Sequence, residues 1–239
     1  MSTTISQTDL RTEFERFSAL ASEGPEQRFP LDWDDRLPCL DDRTPRTGFD
    51  RHYVYHTAWA MRVLARLRPA EHVDIASSLY FAALASAFVP VRYYEYRAVD
   101  LRLPNLSCGQ ADLLRLHFAD ESVPSLSCMH VIEHVGLGRY GEPLDPDGDL
   151  KAIAELRRVL SRGGNLLFVV PVGTPRLQFN AHRIYAFDQV REAFQDLDLV
   201  EFALVPDRRN GTALIHSATK QQADAQRYGC GCFWFRRPA

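Results

Sequence analysis

Features that would mark several classes of protein are missing from this 239-residue sequence. It has no basic excess: the formal net charge is −3, and arginine and acidic residues are mixed along the chain, which argues against a nucleic-acid-binding surface. No apolar run reaches the ~20 residues needed to span a bilayer. The start, MSTTISQTDLRTEFERF, lacks the basic residues and apolar core of a signal peptide. We therefore expect a cytoplasmic protein whose partners are neither nucleic acids nor membranes.

Cysteine is too sparse and too scattered to predict a disulfide framework or a structural zinc site. The number of cysteines, 5, is odd, so reduced and mostly buried thiols are expected. A zinc site usually needs four ligands in two clusters, and the pair Cys230-Gly-Cys232 stands alone in the sequence. We accordingly predict no metal site. The other cysteines are Cys39, Cys108 and Cys128.

The most informative stretch lies in the middle of the chain. Val123 to Ile132 is an apolar run that predicts a buried parallel strand, and it is followed by Glu133, His134 and a glycine-rich turn. Ligands of open α/β sheets bind just beyond the carboxyl ends of the strands, so this strand end predicts the floor of a site. A helix from Asp149 to Leu160 and an apolar strand from Asn165 to Val170 complete a βαβ unit.

Other elements follow from hydrophobic patterning. A helical stripe beginning at Tyr53 and His56 is typical of core, although its first residues could face a ligand. Leu79 to Phe88 predicts a buried helix that is apolar nearly all round. Further strands are predicted at Glu71 to Ser78, Val91 to Tyr96, Leu106 to Gln110, Leu199 to Val205 and Gly231 to Arg236.

The run HVIEHVGLGRYG, followed by LRRVLSRGGNLLFVVPVG, resembles the second half of a class I S-adenosylmethionine-dependent methyltransferase. It is most similar to a bacterial family of methyltransferase-like proteins of unknown function that is often found among polysaccharide-synthesis genes. The similarity extends from Phe49 to the C-terminus and is most specific from His130 to Gly173.

This resemblance implies an α/β, Rossmann-like, doubly wound and mainly parallel sheet of about seven strands, with an antiparallel strand near the C-terminus. It implies a methyltransferase that uses S-adenosylmethionine and acts on a small or sugar-type acceptor. Residues 51–239 would form the methyltransferase-like domain. Residues 1–50 would form an N-terminal helix, from Thr8 to Ala21, and an irregular lid-like extension.

The turn after the first strand departs from the pattern of the fold. Methyltransferases of this class usually have an acidic residue and then Gly-x-Gly here, because glycine lets the backbone approach the ligand. This chain has Asp74 and then Ala76, Ser77 and Ser78; in the similar family Ser-Ser is usual and glycine stands at the position of Ala76. A negative φ at Ala76 would leave the site intact, whereas a positive φ would put cofactor binding in doubt.

Two further acidic residues are expected at the cofactor. Glu95 ends the second strand, where nucleotide-binding α/β folds place a carboxylate that accepts two hydrogen bonds from ribose hydroxyls; the alternative is a surface residue on an edge strand. The resemblance implies that Asp112 accepts the exocyclic amine of adenine and that Leu113 flanks the ring, although Asp112 could simply cap a helix. It also places His130 at the carboxyl end of the fourth strand, beside the cofactor.

Methyl transfer requires a positioned acceptor and often a general base. His134 is the first candidate for the base and His182 the second. We expect the pocket between residues 133–141 and 178–183, roofed by the N-terminal segment. Arginine could hold an anionic acceptor such as a sugar nucleotide, or it could be solvated on loops. The predicted substrate-binding residues are Arg139, Tyr140, Asn180 and Arg183.

Two alternatives remain. His130-x-x-Glu133-His134 matches an inverted zinc-protease motif. In the predicted strand these two histidines would lie ~13 Å apart, too far for one zinc ion, so a zinc hydrolase is disfavoured, while a looser divalent site at Glu133 and His134 stays open. The second alternative, prompted by Ala76, is a non-catalytic methyltransferase-like module that has lost its cofactor.

Overall fold

The computed structural model describes residues 6–23, 29–207 and 214–239, and the chain divides into a small unit, Met1–Phe49, and a large unit, Asp50–Ala239. The small unit contains helix α1 (Gln7–Ser22). Within it, Phe14 packs edge-on against Trp33 with 5.3 Å between the ring centroids, and Arg43 pairs with Glu13 at 2.6 Å. The small unit thus has contacts of its own, and its role as a lid stays a prediction.

The large unit is built on a seven-stranded sheet of order β3-β2-β1-β4-β5-β9-β8. Strands β1 to β5 pair in parallel, and β9 pairs antiparallel with both β5 and β8. This is the expected mainly parallel, Rossmann-like sheet with an antiparallel strand near the C-terminus. The strands are β1 (His72–Ile75), β2 (Val91–Glu95), β3 (Leu106–Gln110), β4 (Val123–Met129), β5 (Leu160–Val172), β8 (Asp198–Val205) and β9 (Gly229–Arg236); β6 (Arg176–Gln178) and β7 (His182–Ile184) form a separate hairpin.

Helices cover both faces of the sheet because each carries one apolar stripe. On one face, Trp59 and Val63 of α2 (Arg51–Leu67) are fully buried with residues of α3 (Leu79–Ala85). On the other, α4 (Gly148–Val159) buries Leu156 beside α5 (Phe187–Ala193), and a short α6 (Lys220–Asp224) follows. Each fully buried large side chain contributes about 1.5–3 kcal/mol. In the described ranges, no helix is long and apolar enough to cross a membrane.

The fourth strand ends earlier than its apolar run predicts. It stops at Met129, because His130 adopts a left-handed backbone conformation with a φ of 57°. Ile132–His134 then form a single 3-10 turn. The expected strand from Val123 to Ile132 is therefore wrong at its end, and this turn folds Glu133 back toward His130.

Two other expectations also need correction, and one segment for which no element was predicted has a regular structure. The fifth strand begins at Leu160, directly after α4, and not at Asn165. Helix α3 is shorter than predicted and is not buried all round, since its Tyr80 and Leu84 are exposed. The polar segment after β5, which had no assigned structure, is the β6–β7 hairpin.

Candidate active site

Two neighbouring cavities lie at the carboxyl edge of β1 to β4. We call the first the apolar chamber; the space between its walls is about 600 Å³, with the open solvent at its mouth included. We call the second the histidine chamber. The two share Ala76, His134 and Tyr140. The apolar chamber is lined by Ile75, Ala76, Glu95, Tyr96, Ala111, Asp112, Leu113, Leu114, Val131, His134, Val135, Tyr140 and Glu142. The histidine chamber is lined by Asp50, Arg51, His52, Tyr53, Ala76, His130, Glu133, His134, Arg139, Tyr140, His182 and Tyr228.

Two carboxylates enter the apolar chamber from neighbouring strands. Glu95 is the last residue of β2, and its Oε1 accepts a hydrogen bond from the Tyr96 amide at 2.9 Å. Asp112 follows β3, and its Oδ1 accepts one from the Leu114 amide at 2.9 Å. These local bonds fix the orientation of both side chains, while Leu113, the residue after Asp112, adds a buried apolar surface to the same chamber. The structure thus brings Glu95, Asp112 and Leu113 to one chamber.

The turn after β1 is held by its own polar groups. Asp74 is fully buried, and its Oδ1 accepts the Ser77 amide at 3.0 Å. The Ser77 hydroxyl accepts the Met129 amide at 3.1 Å, which ties the turn to the end of β4. Ser78 is the residue before α3 and lies outside both sets of lining residues. Asp74 and Ser77 therefore shape the turn from behind the cavity wall.

Ala76 has a φ of 55°, the case in which cofactor binding was expected to be in doubt. Its amide donates to the Tyr94 carbonyl at 2.7 Å, so the turn stays attached to β2. A left-handed alanine costs about 1–2 kcal/mol, a strain that glycine avoids. The backbone at Ala76 thus has the left-handed conformation that glycine would adopt, but the alanine adds a methyl group to the wall that both chambers share.

Behind this wall runs a fully buried polar chain. Ser127 Oγ donates to Asp74 Oδ2 and lies 2.9 Å from His72 Nε2, and His72 Nδ1 lies 2.8 Å from Ser125 Oγ. Burial raises the pKa of Asp74 to about 7 and lowers the pKa of His72 to about 3. Both groups therefore favour their neutral forms, which is how the chain tolerates complete burial.

In the histidine chamber, Glu133 joins two histidines. Its Oε1 lies 2.8 Å from His130 Nδ1 and 3.9 Å from His134 Nε2. The ~13 Å separation expected from an extended strand is therefore wrong, because the left-handed residue and the 3-10 turn bring both rings to one carboxylate. Burial raises the pKa of Glu133 to about 7 and lowers that of His130 to about 4.

His134 stands where the two chambers meet, and its tautomer is set by a backbone contact. Its Nδ1 lies 2.5 Å from the Ala181 carbonyl oxygen, which can only accept, so Nδ1 carries the proton. Nε2 then carries the lone pair, 3.5 Å from the Arg139 guanidinium and 3.9 Å from Glu133 Oε1. Burial lowers the pKa of His134, with Glu133 acting in the opposite direction, so the ring is neutral at neutral pH. This is the protonation state that a general base requires.

The other predicted residues fall into two groups. His182 lines the histidine chamber beside Tyr228, with 4.9 Å between the rings, and its Nε2 contacts Gln178 Oε1 at 2.8 Å. Arg139 lies over the Tyr140 ring at 5.3 Å and donates to the Ala181 carbonyl at 3.1 Å.

Asn180 and Arg183 lie outside both sets of lining residues. Asn180 is exposed at the tip of the β6–β7 hairpin. Arg183 donates to the carbonyls of Val135 and Pro146 at 2.7 and 3.0 Å and lies 3.5 Å from Asp149. These contacts make Arg183 a clamp on the loop after β4, so neither residue has the placement expected of a substrate ligand.

Sequence reasoning missed several residues of the histidine chamber. His52 is the second residue of α2, directly before Tyr53, and it stacks on His130 with 5.5 Å between the rings. Tyr228 precedes β9 and stacks on His52 at 4.9 Å. The available signal was a set of polar aromatic residues at the ends of elements, where a parallel sheet gathers its ligand-binding groups.

Comparison with known proteins agrees with this fold. Residues 57–168 match the family model described as a methyltransferase domain, and residues 117–226 match one described as a Caenorhabditis protein of unknown function, DUF268; each covers a little under half of the chain. None of the curated proteins matches this chain.

Solved structures with the same architecture include two methyltransferases. The N-methyltransferase NodS from Bradyrhizobium japonicum WM9, in complex with S-adenosyl-L-homocysteine, is 14% identical, with 84% of this chain and 94% of that chain covered and a TM-score of 0.55. The Burkholderia thailandensis 1,6-didemethyltoxoflavin-N1-methyltransferase, with S-adenosylhomocysteine bound, is 12% identical, with coverage of 98% and 92% and a TM-score of 0.54.

A third structure with this architecture carries a different name. The [4+2]-cyclase SpnF is 13% identical, with 77% of this chain and 81% of that chain covered and a TM-score of 0.54. At such identities the likeness establishes the fold, which is the Rossmann-like methyltransferase fold. Together with the matched domain model, it supports a methyltransferase.

Proposed function

We propose that this protein is an S-adenosylmethionine-dependent methyltransferase whose acceptor is a small molecule of sugar type. One observation carries the proposal: a chamber with two carboxylates and apolar walls shares Ala76, His134 and Tyr140 with a second chamber rich in proton-accepting groups. A methyltransferase needs two adjoining sites, one for the cofactor's nucleoside and one for the acceptor, because the cofactor's methyl group and the acceptor's nucleophile must meet at one point.

The residues of the apolar chamber fit an adenosine group. Glu95 offers two oxygens to a pair of ribose hydroxyls, and Asp112 offers an acceptor to an exocyclic amine. Leu113 and Val135 supply apolar surfaces for a flat ring. The methyltransferase domain model and the neighbours crystallised with S-adenosylhomocysteine point to S-adenosylmethionine as the cofactor.

The cofactor supplies an activated methyl group on a sulfonium, so the protein must provide mainly position and a proton acceptor. His134 Nε2 accepts the proton of the acceptor's nucleophile, while the Ala181 carbonyl holds Nδ1–H and keeps the ring in this tautomer. Glu133, 3.9 Å away, stabilises the imidazolium formed. His182, in the same chamber, is the second candidate for the base.

The acceptor enters the histidine chamber beside Arg139 and Tyr140. The Arg139 guanidinium lies 3.1 Å from His134 Nδ1, so an anionic group bound there would stand next to the base. Tyr140 adds an aromatic surface, half exposed, of the kind on which sugar rings pack. These two side chains support an acidic sugar derivative as the acceptor.

Cofactor binding is tested by thermal unfolding with S-adenosylmethionine and S-adenosylhomocysteine. A ligand at 100 times its dissociation constant stabilises the folded state by about 2.7 kcal/mol, which raises Tm by about 5–10 °C in a domain of this size. Adenosine diphosphate serves as a nucleotide control. No shift with either sulfur ligand at millimolar concentration would refute the proposal.

The positive φ of Ala76 favours a second candidate, a non-catalytic module with the same fold. That candidate requires that the methyl group close the junction between the chambers, and it predicts no thermal shift with either sulfur ligand. A zinc hydrolase is less well supported, because residues 130–134 form a left-handed residue and a 3-10 turn, whereas the motif requires both histidines on one helix.

A further inference from the structure

Three metal-binding side chains converge beneath the histidine chamber, from positions far apart in the sequence. One ligand atom each from His52, His130 and Cys230 lies within 4.8 Å of the other two. His52 is in the first turn of α2, His130 follows β4, and Cys230 is the second residue of β9. Three different elements of the fold therefore bring imidazole, imidazole and thiol to one point.

His130 is oriented as metal-bound histidines usually are. Its Nδ1 contacts the Glu133 carboxylate at 2.8 Å, which places the proton on Nδ1 and the lone pair on Nε2. The His130 side chain is only 4% exposed, and Nε2 has no hydrogen-bond partner among the described residues. Buried polar atoms are almost always satisfied, so an unpartnered lone pair here calls for a ligand.

Two neighbouring histidines likewise have one ring nitrogen that is hydrogen-bonded and a second that is available to a ligand. His52 hydrogen-bonds the backbone of Tyr228, which leaves its second ring nitrogen for another partner. His56 is fully buried and contacts the His52 carbonyl through Nδ1 at 2.7 Å, and its Nε2 is likewise without a partner within the described residues. The His56 ring lies 5.0 Å from that of His130.

Ring packing alone does not account for the arrangement. His130 stacks on His52 and on Tyr53, each at 5.5 Å, and these contacts stabilise the faces of the rings. They leave the in-plane lone pair of His130 Nε2 unused. Cys230 Sγ lies 3.9 Å from Cys232 Sγ, a weak contact that leaves the Cys230 sulfur able to bind a metal.

We propose that His52, His130 and Cys230 bind a transition-metal ion, with zinc the best match, and that the fourth position faces the histidine chamber. Two imidazoles and one thiolate suit zinc, whose bonds of about 2.0 Å to nitrogen and 2.3 Å to sulfur place ligand atoms about 3.5 Å apart. Small side-chain rotations close the present separation to that value. The thiol proton of Cys230 leaves to solvent when the zinc–sulfur bond forms, and no redox step is involved.

This inference differs from the expectation that Cys230 and Cys232 are too isolated for a metal site. That expectation considered neighbours in sequence, whereas the histidine ligands belong to other elements. The inference does not rest on the proposed methyltransferase activity. Metal binding is measured without cofactor or acceptor, so each proposal can fail without the other.

The test uses the full chain and Co²⁺ as a spectroscopic probe for the zinc site. The wild-type protein, stripped with a chelator, should bind one Co²⁺ per chain, with visible bands typical of four-coordinate cobalt and a sulfur-to-metal band in the near ultraviolet. One equivalent of Zn²⁺ should remove these bands. Elemental analysis of protein purified without chelator should find zinc.

The matched variants are Cys230→Ser and Cys232→Ser, two fully buried thiols on the same strand. Cys230→Ser should abolish the sulfur band and weaken Co²⁺ binding at least 100-fold, and Cys232→Ser should keep both. Thermal melts check that each variant folds; if Cys230→Ser does not, His52→Gln replaces it, with the same expected loss of affinity. Wild-type protein without stoichiometric binding at 50 μM Co²⁺, or a sulfur band that survives Cys230→Ser, would overturn the proposal.

Discussion

Replacing Ala76 by glycine should change stability and cofactor affinity by separable amounts. Ala76 has a φ of 55°, and relief of a left-handed alanine is worth about 1–2 kcal/mol. Glycine makes the unfolded chain more flexible, which costs about 0.4–1 kcal/mol. The net expected gain in the free energy of unfolding is therefore about 0–1.6 kcal/mol, centred on about 0.8 kcal/mol, which raises Tm by about 2–3 °C.

The second effect arises from the position of the Ala76 methyl group, in the wall shared by both chambers. Where a methyl overfills a binding site, its removal recovers about 1 kcal/mol or more, so S-adenosylhomocysteine should bind about fivefold more tightly. Arg68→Gly is the matched control. Arg68 has a φ of 46° at the end of α2, lies outside both chambers, and should show the gain in Tm without the gain in affinity.

The assay combines urea unfolding with titration calorimetry on the wild type and both variants. A lower free energy of unfolding for Ala76→Gly than for the wild type would refute the left-handed strain at this position. Equal stabilisation by both glycine variants, with unchanged affinity for S-adenosylhomocysteine in Ala76→Gly, would show that the methyl does not restrict the cofactor.

Three further predictions concern charged and titrating groups. Glu95→Ala should weaken S-adenosylmethionine binding by about 1–3 kcal/mol in calorimetry, through lost hydrogen bonds to the ribose, and unchanged affinity would exclude Glu95 from the site. His134→Ala should lower the single-turnover rate ~100-fold or more and leave cofactor affinity nearly unchanged, because a base acts on the chemical step; loss of neither would leave His182 as the better candidate. The pKa of Asp74 is raised to about 7, so its contribution to the free energy of unfolding falls as the pH rises from about 4 to 7. The pKa of His72 is lowered to about 3, so its contribution rises as the pH rises from about 3 to 6.5. Between about pH 4 and 6.5 these two contributions offset each other. Asp74→Asn removes the contribution of Asp74 and leaves that of His72. Between pH 4 and 6.5 the free energy of unfolding of the variant, measured with urea, should therefore rise relative to that of the wild type by up to about 1.4 kcal/mol per pH unit. Profiles of unfolding free energy against pH that run parallel for the two proteins would contradict this.

The sheet could be predicted because its signals are local. Apolar runs such as the one starting at Val123 have the length and flanking turns of buried strands, and their spacing allows few connections. The residues at which those strands end were harder to predict. The conformation of His130 depends on its contact with Glu133 and on the tertiary setting of its backbone, and the modest enrichment of histidine among left-handed residues is too weak to predict it.

The position of a candidate site residue could be predicted where one residue at a strand end carries the signal, as with Glu95 at the end of β2. Positions could not be predicted where residues from distant elements come together. The role of Arg183 as a substrate ligand stays a prediction; in the structure its guanidinium donates to the backbone carbonyls of Val135 and Pro146. Sequence alone does not show which buried carbonyls lack a donor, so it cannot separate such a clamp from a binding group.

The antiparallel strand β9 has a consequence for biosynthesis. It is the last strand in the sequence, yet it lies between β5 and β8, so during translation both of these strands wait with an unpaired edge until residues 229–236 leave the ribosome. At about 5–20 residues per second, the 56 residues between β5 and β9 take several seconds to be made. In that interval the nascent chain exposes two hydrophobic edges that can pair with other chains, and a chaperone that shields them should raise the yield of folded protein.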